Sequence, residues 1–214
     1  MPEHYYNRRA KEYEEIYHRT DPVRQKELTK IAALMKDVLT NRRVLEIACG
    51  TGFWTAAAAE TAEKVIALDI SDEMLAIAKT KDLPNEKVRF YTGDAYKLDL
   101  VDGTFNAGLA NFWLSHVPKS RLNNFLQGLH RKLSSGAVVF MADNVYVPGI
   151  GGELIRKPGR EDTFKLRELA DGSRHEVLKN YHDAGQLRGI LEPLSSRLQI
   201  NTGDCFWWLT YLVP

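Results

Sequence analysis

Two spacings of apolar residues alternate along this chain. Leu28, Ile31, Ala32, Leu34, Met35, Val38 and Leu39 recur at the three-to-four interval of one helix face, and Asp21-Pro22 supplies a cap and a first-turn proline ahead of them. Residues 43–48, mostly apolar around Val44, Leu45 and Ile47, then predict a strand, 51–61 an alanine-rich helix, and 64–69 a second strand. Ser71-Asp72-Glu73-Met74 reads as a capped start for the helix through Leu75-Ala76-Ile77-Ala78, since acids are favourable at a helix N-terminus. Val88-Arg89-Phe90-Tyr91 alternates as a third strand. Residues 105–112 form a fourth behind the Asp102-Gly103 turn, 118–133 a helix, and 137–142 a fifth strand. Strand-helix alternation of this kind predicts an α/β fold, a doubly wound, mostly parallel sheet with helices on both faces.

The two ends break the alternation. Residues 4–18 read as a polar helix rich in tyrosine (Tyr5, Tyr6, Tyr13, Tyr17). After Asp143-Asn144, a charged stretch bearing glycine and proline runs to Lys157-Pro158-Gly159-Arg160. Residues 163–169 and 174–178 then flank Asp171-Gly172 as a hairpin. A helix over 181–191 follows, then strands over 197–201 and 206–213 around Thr202-Gly203-Asp204. Phe206-Trp207-Trp208 alternates into the last strand, which predicts one buried indole and one facing the cleft or a partner. The organisation expected is one domain over 1–214, with an N-terminal helical cap over about 1–40 and a lid-like insertion over about 146–180.

Composition narrows the class. A length of 214 residues with 44% hydrophobic and 27% charged positions suits a soluble globular chain. A net charge of +1 gives no reason to expect nucleic acid as a partner. No apolar run reaches the roughly 18 residues of a membrane span, and the first residues lack the apolar core of a signal peptide. Cys49 and Cys205 form neither a disulfide framework nor a zinc spacing, so the expectation is a reduced, cytoplasmic protein without a metal. Oligomeric state is open.

Chemistry concentrates in Val44-Leu45-Glu46-Ile47-Ala48-Cys49-Gly50-Thr51-Gly52, with Asp69 at the tip of the second strand. Glycines permit a tight turn and a close ligand, and a carboxylate at position 69 can accept hydrogen bonds from a ribose diol. Gly50-Thr51-Gly52 runs into Phe53-Trp54-Thr55, so the third glycine of the dinucleotide fingerprint is missing. A ribose-bearing ligand without a pyrophosphate fits, and S-adenosylmethionine (SAM) is such a ligand. Alanine does not readily adopt positive φ, so the bend at Ala48 is expected to be one an L-residue tolerates.

On Glu46 through Gly52, the chain resembles the class I SAM-dependent methyltransferases, in which an acidic residue precedes a glycine-rich turn. Ala48 departs from the usual first glycine. The likeness is to the small-molecule branch with ubiquinone- and menaquinone-type methyltransferases, and it implies a seven-stranded sheet ending in an antiparallel hairpin. It also implies SAM as cofactor, S-adenosylhomocysteine (SAH) as product, and methyl transfer to an O, N or C nucleophile of a small molecule.

The resemblance and the strand tips together nominate the site. The loop from Ala48 and Cys49 through Gly50, Thr51 and Gly52 faces the methionine part, and Glu46 receives its ammonium directly or through water. Asp69 and Ile70 meet the ribose end; Ser71 is the better cap, leaving Asp69 free. Met74 lies against the adenine or in the core. Asp94, with Gly93 and Ala95 beside it, reads adenine in the family and is otherwise a turn aspartate. Asn111 and Phe112 touch the cofactor where the family places the transfer centre, and Trp113 walls the acceptor pocket. His116, with an unperturbed pKa near 6.5, is the candidate general base. Asn144 and Tyr146 are acceptor candidates, and Tyr6 or Tyr13 would close over SAM as an aromatic first helix does in the family. RNA or protein methylation, SAM binding without catalysis, and nicotinamide chemistry are the competing readings.

Overall fold

A computed structural model describes residues 3–150 and 152–214, so the first two positions of the predicted cap and position 151 of the predicted insertion lie outside the described residues. In chain order the elements are α1 (Glu3–Arg9), α2 (Pro22–Leu39), β1 (Arg43–Ile47), α3 (Phe53–Ala59), β2 (Lys64–Asp69), α4 (Asp72–Ala78), β3 (Val88–Thr92) and β4 (Phe105–Asn111). They continue with α5 (Leu122–Lys132), β5 (Leu133–Asn144), β6 (Leu154–Arg156), β7 (Thr163–Glu168), β8 (Arg174–Leu178), α6 (Ala184–Leu191), β9 (Ser196–Thr202) and β10 (Phe206–Leu212). The main sheet has the order β3-β2-β1-β4-β5-β10-β9, and β10, antiparallel to both neighbours, runs against the other six strands. Strand order reverses between β1 and β4. In open α/β sheets such a reversal leaves a crevice at the carboxyl ends of the strands.

Local chemistry explains the helix starts. Asp21 accepts hydrogen bonds from the amides of Val23 and Arg24 ahead of Pro22, which caps α2 as its sequence implies. Asp183 and Gln186 form a reciprocal capping box, and that moves the start of α6 from the predicted position 181 to Ala184. The helix predicted from position 118 begins instead at Leu122, because Pro118 has an extended ψ of 137° and only a 3-10 turn follows it. The N-terminal helix is likewise not continuous: α1 ends at Arg9 and a 3-10 helix covers Ala10–Ile16. Tyr17, just past it, stacks on Phe53 with ring centroids 4.0 Å apart.

Strand alternation builds two cores, one per face of the sheet. Leu45, Ile66, Leu68, Val139 and Met141 pack with Phe125 and Leu129 of α5 and Leu187 of α6. Val44, Val65, Leu109 and Phe140 pack with Ile31 and Met35 of α2 and Trp54 of α3. Trp207 and Trp208 are both buried, one in each core, so the indole expected to face the cleft or a partner does not. Lys30 covers the Trp208 ring at 4.8 Å, a cation–π lid over the outer core.

Between β5 and α6, strands β6, β7 and β8 form a separate antiparallel sheet, with the Asp171-Gly172 turn joining β7 to β8 as predicted. Three residues long, β6 is too short for its alternation to register in the sequence. Tyr5 of α1 packs with Leu169 and Val177, tying the N-terminal helix to this sheet. No helix of the described residues is long and apolar enough to cross a membrane.

Candidate cofactor and acceptor site

The turn after β1 is wound tightly. Ala48, Gly50 and Gly52 have φ of 54°, 56° and 77°. The left-handed region is costly for alanine, so the expectation that position 48 takes an ordinary bend is corrected: the loop imposes a strained one. Gly52 serves packing. A Cβ there would lie 3.1 Å from the Cβ of Ala78, so this glycine lets α3 approach α4.

Asp69 ties the two strand tips together. Its Oδ2 accepts a hydrogen bond from the Gly50 amide at 2.8 Å and its Oδ1 one from the Ser71 amide at 2.9 Å. Ser71 does cap α4 through the Met74 amide, but Asp69 is not left free as expected. Each carboxylate oxygen still has a second lone pair. Burial raises the Asp69 pKa, and the amides of Ser71, Gly50 and Ile70 oppose that rise.

Beside this carboxylate lies a cavity of about 180 Å³. Ile70, Met74, Gly93, Asp94 and Ala95 line one part, Ala48, Gly50 and Asp69 another, and Tyr6, Tyr13, Phe112, Trp113 and His116 the rest. Met74 is both 2% exposed and part of the wall, so its two readings coincide. Asp94 likewise caps a turn, accepting from the Tyr96 amide at 2.9 Å, while facing the cavity. Sequence reasoning missed Leu68, Tyr96 and Arg121 in this wall. The Arg121 guanidinium lies 3.5 Å over the Tyr96 ring, a contact between segments that no local spacing announces.

Several nominated residues stand behind the wall. Glu46, Cys49, Thr51, Gly52 and Asn111 are buried and do not line the cavity. Glu46 shares the strand parity of Val44 and faces the α2–α3 side, which removes the direct contact expected with an ammonium in the cavity. Burial raises its pKa to about 8. The Asn111 Oδ1, Thr51 Oγ1 and Trp113 Nε1 atoms are buried without a hydrogen-bond partner among the described residues.

A second cavity of about 420 Å³ shares Tyr6, Tyr13, Phe112 and His116 with the first. Asn144 lines it as predicted. Tyr146 does not, although its neighbours Val145 and Val147 do; its ring instead meets Tyr181 at 5.2 Å and carries the Lys165 ammonium at 5.3 Å. Trp113, expected in the acceptor wall, belongs to the first cavity alone. Phe112 is held at a φ of 56° between the two, in edge contact with Phe206 at 5.3 Å.

Behind this second cavity is a buried polar network of which sequence reasoning nominated only Asp143, as a residue that could orient an acceptor. The Lys179 ammonium donates to Asp143 Oδ1 at 3.0 Å and to Ser115 Oγ at 2.6 Å, and Asp143 Oδ2 accepts from the Ser115 amide at 2.9 Å. Burial pushes the Asp143 carboxyl up, but Lys179 and the amides of Ser115 and Asn144 outweigh it and hold the group well below the carboxylate range. Asp143 and Lys179 are a closed ion pair, and Asp143 does not reach either cavity wall.

His116 differs from its expectation in protonation. Its Nδ1 is 2.8 Å from the Leu178 carbonyl, which only accepts, so that nitrogen carries the hydrogen. Tyr6 Oη is 3.1 Å from the same nitrogen. Burial, then the nearby Lys179 charge, lower the imidazole pKa to about 3. The ring is neutral at physiological pH and does not titrate near 6.5.

A family model described as a methyltransferase domain matches residues 44–136. The demethylmenaquinone methyltransferase of Staphylococcus aureus (strain MRSA252) is 33% identical over 111 residues, half of this chain. The chain spans only 45% of that relative's length. The structure of DhpI in complex with SAH matches with a TM-score of 0.74 at 27% identity, covering 99% of this chain and 94% of DhpI. A DhpI complex with SAM and HEP matches at 0.75 over 97% and 94% of the two chains, again at 27% identity. SAM-bound CalS10, an amino pentose methyltransferase from Micromonospora echinaspora, shares the fold at 20% identity and a TM-score of 0.64, over 92% of this chain and 95% of its own. Matching domain, sheet order and relatives converge: residues 44–136 match a methyltransferase domain, and the chain as a whole is similar to SAM-dependent methyltransferases.

Proposed function

We propose that this protein binds SAM in the smaller cavity and transfers its methyl group to a small molecule held in the larger one. The observation that carries the reading is Asp69: a carboxylate at the tip of β2, fixed by two amides beside the β1 turn, with lone pairs left for a ribose diol. The residues present fit the cofactor. Met74, Ala95 and Ile70 offer an apolar slot for an adenine beside Asp94, and Gly50 leaves the backbone open toward the methionine end.

Once bound, the cofactor supplies one thing, a methyl activated on a sulfonium whose carbon–sulfur electron pair stays on sulfur as an acceptor lone pair forms the new bond. The protein's contribution is positioning and exclusion of water. Tyr6, Tyr13, Phe112 and His116 face both cavities, and they set where the two ligands meet. α1 and the β6–β8 insertion wall the acceptor side, as a cap and a lid. His116 acts as a neutral wall and hydrogen-bonding group whose Nδ1–H is committed to Leu178. An imidazole of such low basicity takes a proton poorly, so the site favours acceptors that arrive already nucleophilic.

The test is incubation of the protein with SAM and a panel of small O-, N- and C-nucleophiles, with SAH and methylated product followed by mass spectrometry. Acceptor-dependent formation of both supports the reading. SAM binding with no turnover on any class would favour a binding protein without catalysis.

A further inference from the structure

We propose that the larger cavity captures its acceptor by an oxyanion group, a carboxylate or a phosphoryl-type anion, held by Arg9 of α1 and Arg167 of β7. The inference rests on the methyl-transfer reading above and names the acceptor class for that site.

Charge in this cavity departs from that of the chain as a whole. Arg9, Arg19, Arg24, Arg167 and Lys179 line it, against one carboxylate, Asp21, while the protein carries a net charge of only +1. Three of these cations are set apart from the rest of the cavity. Asp143 holds Lys179, Arg24 gives its Nε–H to the Ile16 carbonyl, and Arg19 is exposed. Arg9 and Arg167 have no carboxylate within ion-pair distance among the described residues.

These two guanidiniums are also only half exposed. Arg9 lies over the rings of Tyr5 and Tyr13, at 5.7 and 5.0 Å, which fixes its plane against apolar faces. Burial lowers the pKa of Arg167, and the charge of Arg9 pushes in the same direction. Half-buried like charges facing one cavity are unfavourable until an anion joins them. A guanidinium fork matches the paired oxygens of carboxylate and phosphate, so the chemistry of the pair selects an oxyanion. The contact of Tyr5 with Leu169 and Val177 joins the two elements that carry the arginines, which holds the pair together.

An ionised acceptor also agrees with the rest of the site. His116 is neutral and the Lys179–Asp143 pair is closed, so neither is poised to remove a proton near neutrality. SAM brings a carboxylate of its own that one cation could hold. Arg167 comes from the insertion and lines only the acceptor cavity, which separates its role from that of the cofactor.

The experiment is a calorimetric titration of inorganic phosphate, and separately acetate, into protein saturated with SAH, so that the carboxylate of the cofactor product is already in place. Wild type is compared with Arg167→Gln, Arg167→Lys and Arg9→Gln. The expected result is anion binding by wild type, weakened about tenfold or more in Arg167→Gln and in Arg9→Gln and partly restored in Arg167→Lys, with SAH affinity of both Arg167 variants within about twofold of wild type. Phosphate alone or acetate alone identifies the oxyanion. Silence of both anions on the SAH complex, or equal binding by wild type and the glutamine variants, overturns the inference and leaves methyl transfer standing. Absence of SAH binding removes the methyl-transfer reading and this inference with it.

Discussion

At position 48 an alanine occupies a left-handed bend, with a φ of 54°. Nothing in the sequence announces this, because backbone strain follows from how the loop closes over Asp69 rather than from residue identity. Ala48→Gly should raise stability by about 1 kcal/mol, read as an upward shift of the denaturant midpoint; an unchanged or lower midpoint would count against the strain. Asp69→Ala removes the acceptor of two amides and the proposed ribose contact, and SAH affinity should fall by about ten- to a hundredfold in titration. Glu46 carries a pH signature. Its folded pKa of about 8 lies above the usual carboxylate value, so below about pH 4 both folded and unfolded chains are protonated and its full contribution is present. As pH rises the unfolded chain ionises first, so stability falls until about 8 and then levels. In Glu46→Gln that falling limb should be shallower in urea melts taken across this range, and an identical slope would contradict the protonated carboxyl.

Elements were legible wherever a period ran long enough. The seven α2 positions at helical spacing and the short, mostly apolar β1 gave those segments from residue type alone, and the capping residues Asp21 and Ser71 gave two helix starts. The three-residue β6 and the 3-10 winding of Ala10–Ile16 lack any such period, so they were not. Contacts between elements are equally silent in sequence. Glu27 of α2 accepts hydrogen bonds from the amides of Asp204, Cys205 and Phe206 at 2.7, 3.0 and 3.0 Å, clasping the turn between β9 and β10. Glu27→Ala should cost about 2 kcal/mol in a chemical melt by leaving those amides without their charged acceptor. Gly52 is a second such contact, and Gly52→Ala should cost about 1–3 kcal/mol through its left-handed φ and the close approach to Ala78. Wild-type stability in that variant would show that α3 and α4 can separate freely.

Across the molecule, the two halves of the site differ in how far they could be read. The smaller cavity, proposed for the cofactor, is lined in sequence order: Ala48, Gly50, Asp69, Met74 and Asp94 follow successive strand tips, so a motif and the strand-tip rule suffice to nominate them. The larger cavity, proposed for the acceptor, assembles from α1, the end of β5 and the insertion, and Arg9, Asn144, Arg167 and Lys179 meet only because the chain folds. His116 shows the same limit. Its identity suggested a base, whereas burial and the Lys179–Asp143 pair set its actual charge. The central claim is that the Asp69 cavity takes SAM. Calorimetric titration of SAM, SAH and NADH into one preparation tests it most directly. Micromolar binding of SAM and SAH with NADH silent is the predicted result. Binding of NADH with SAM and SAH silent would contradict the account.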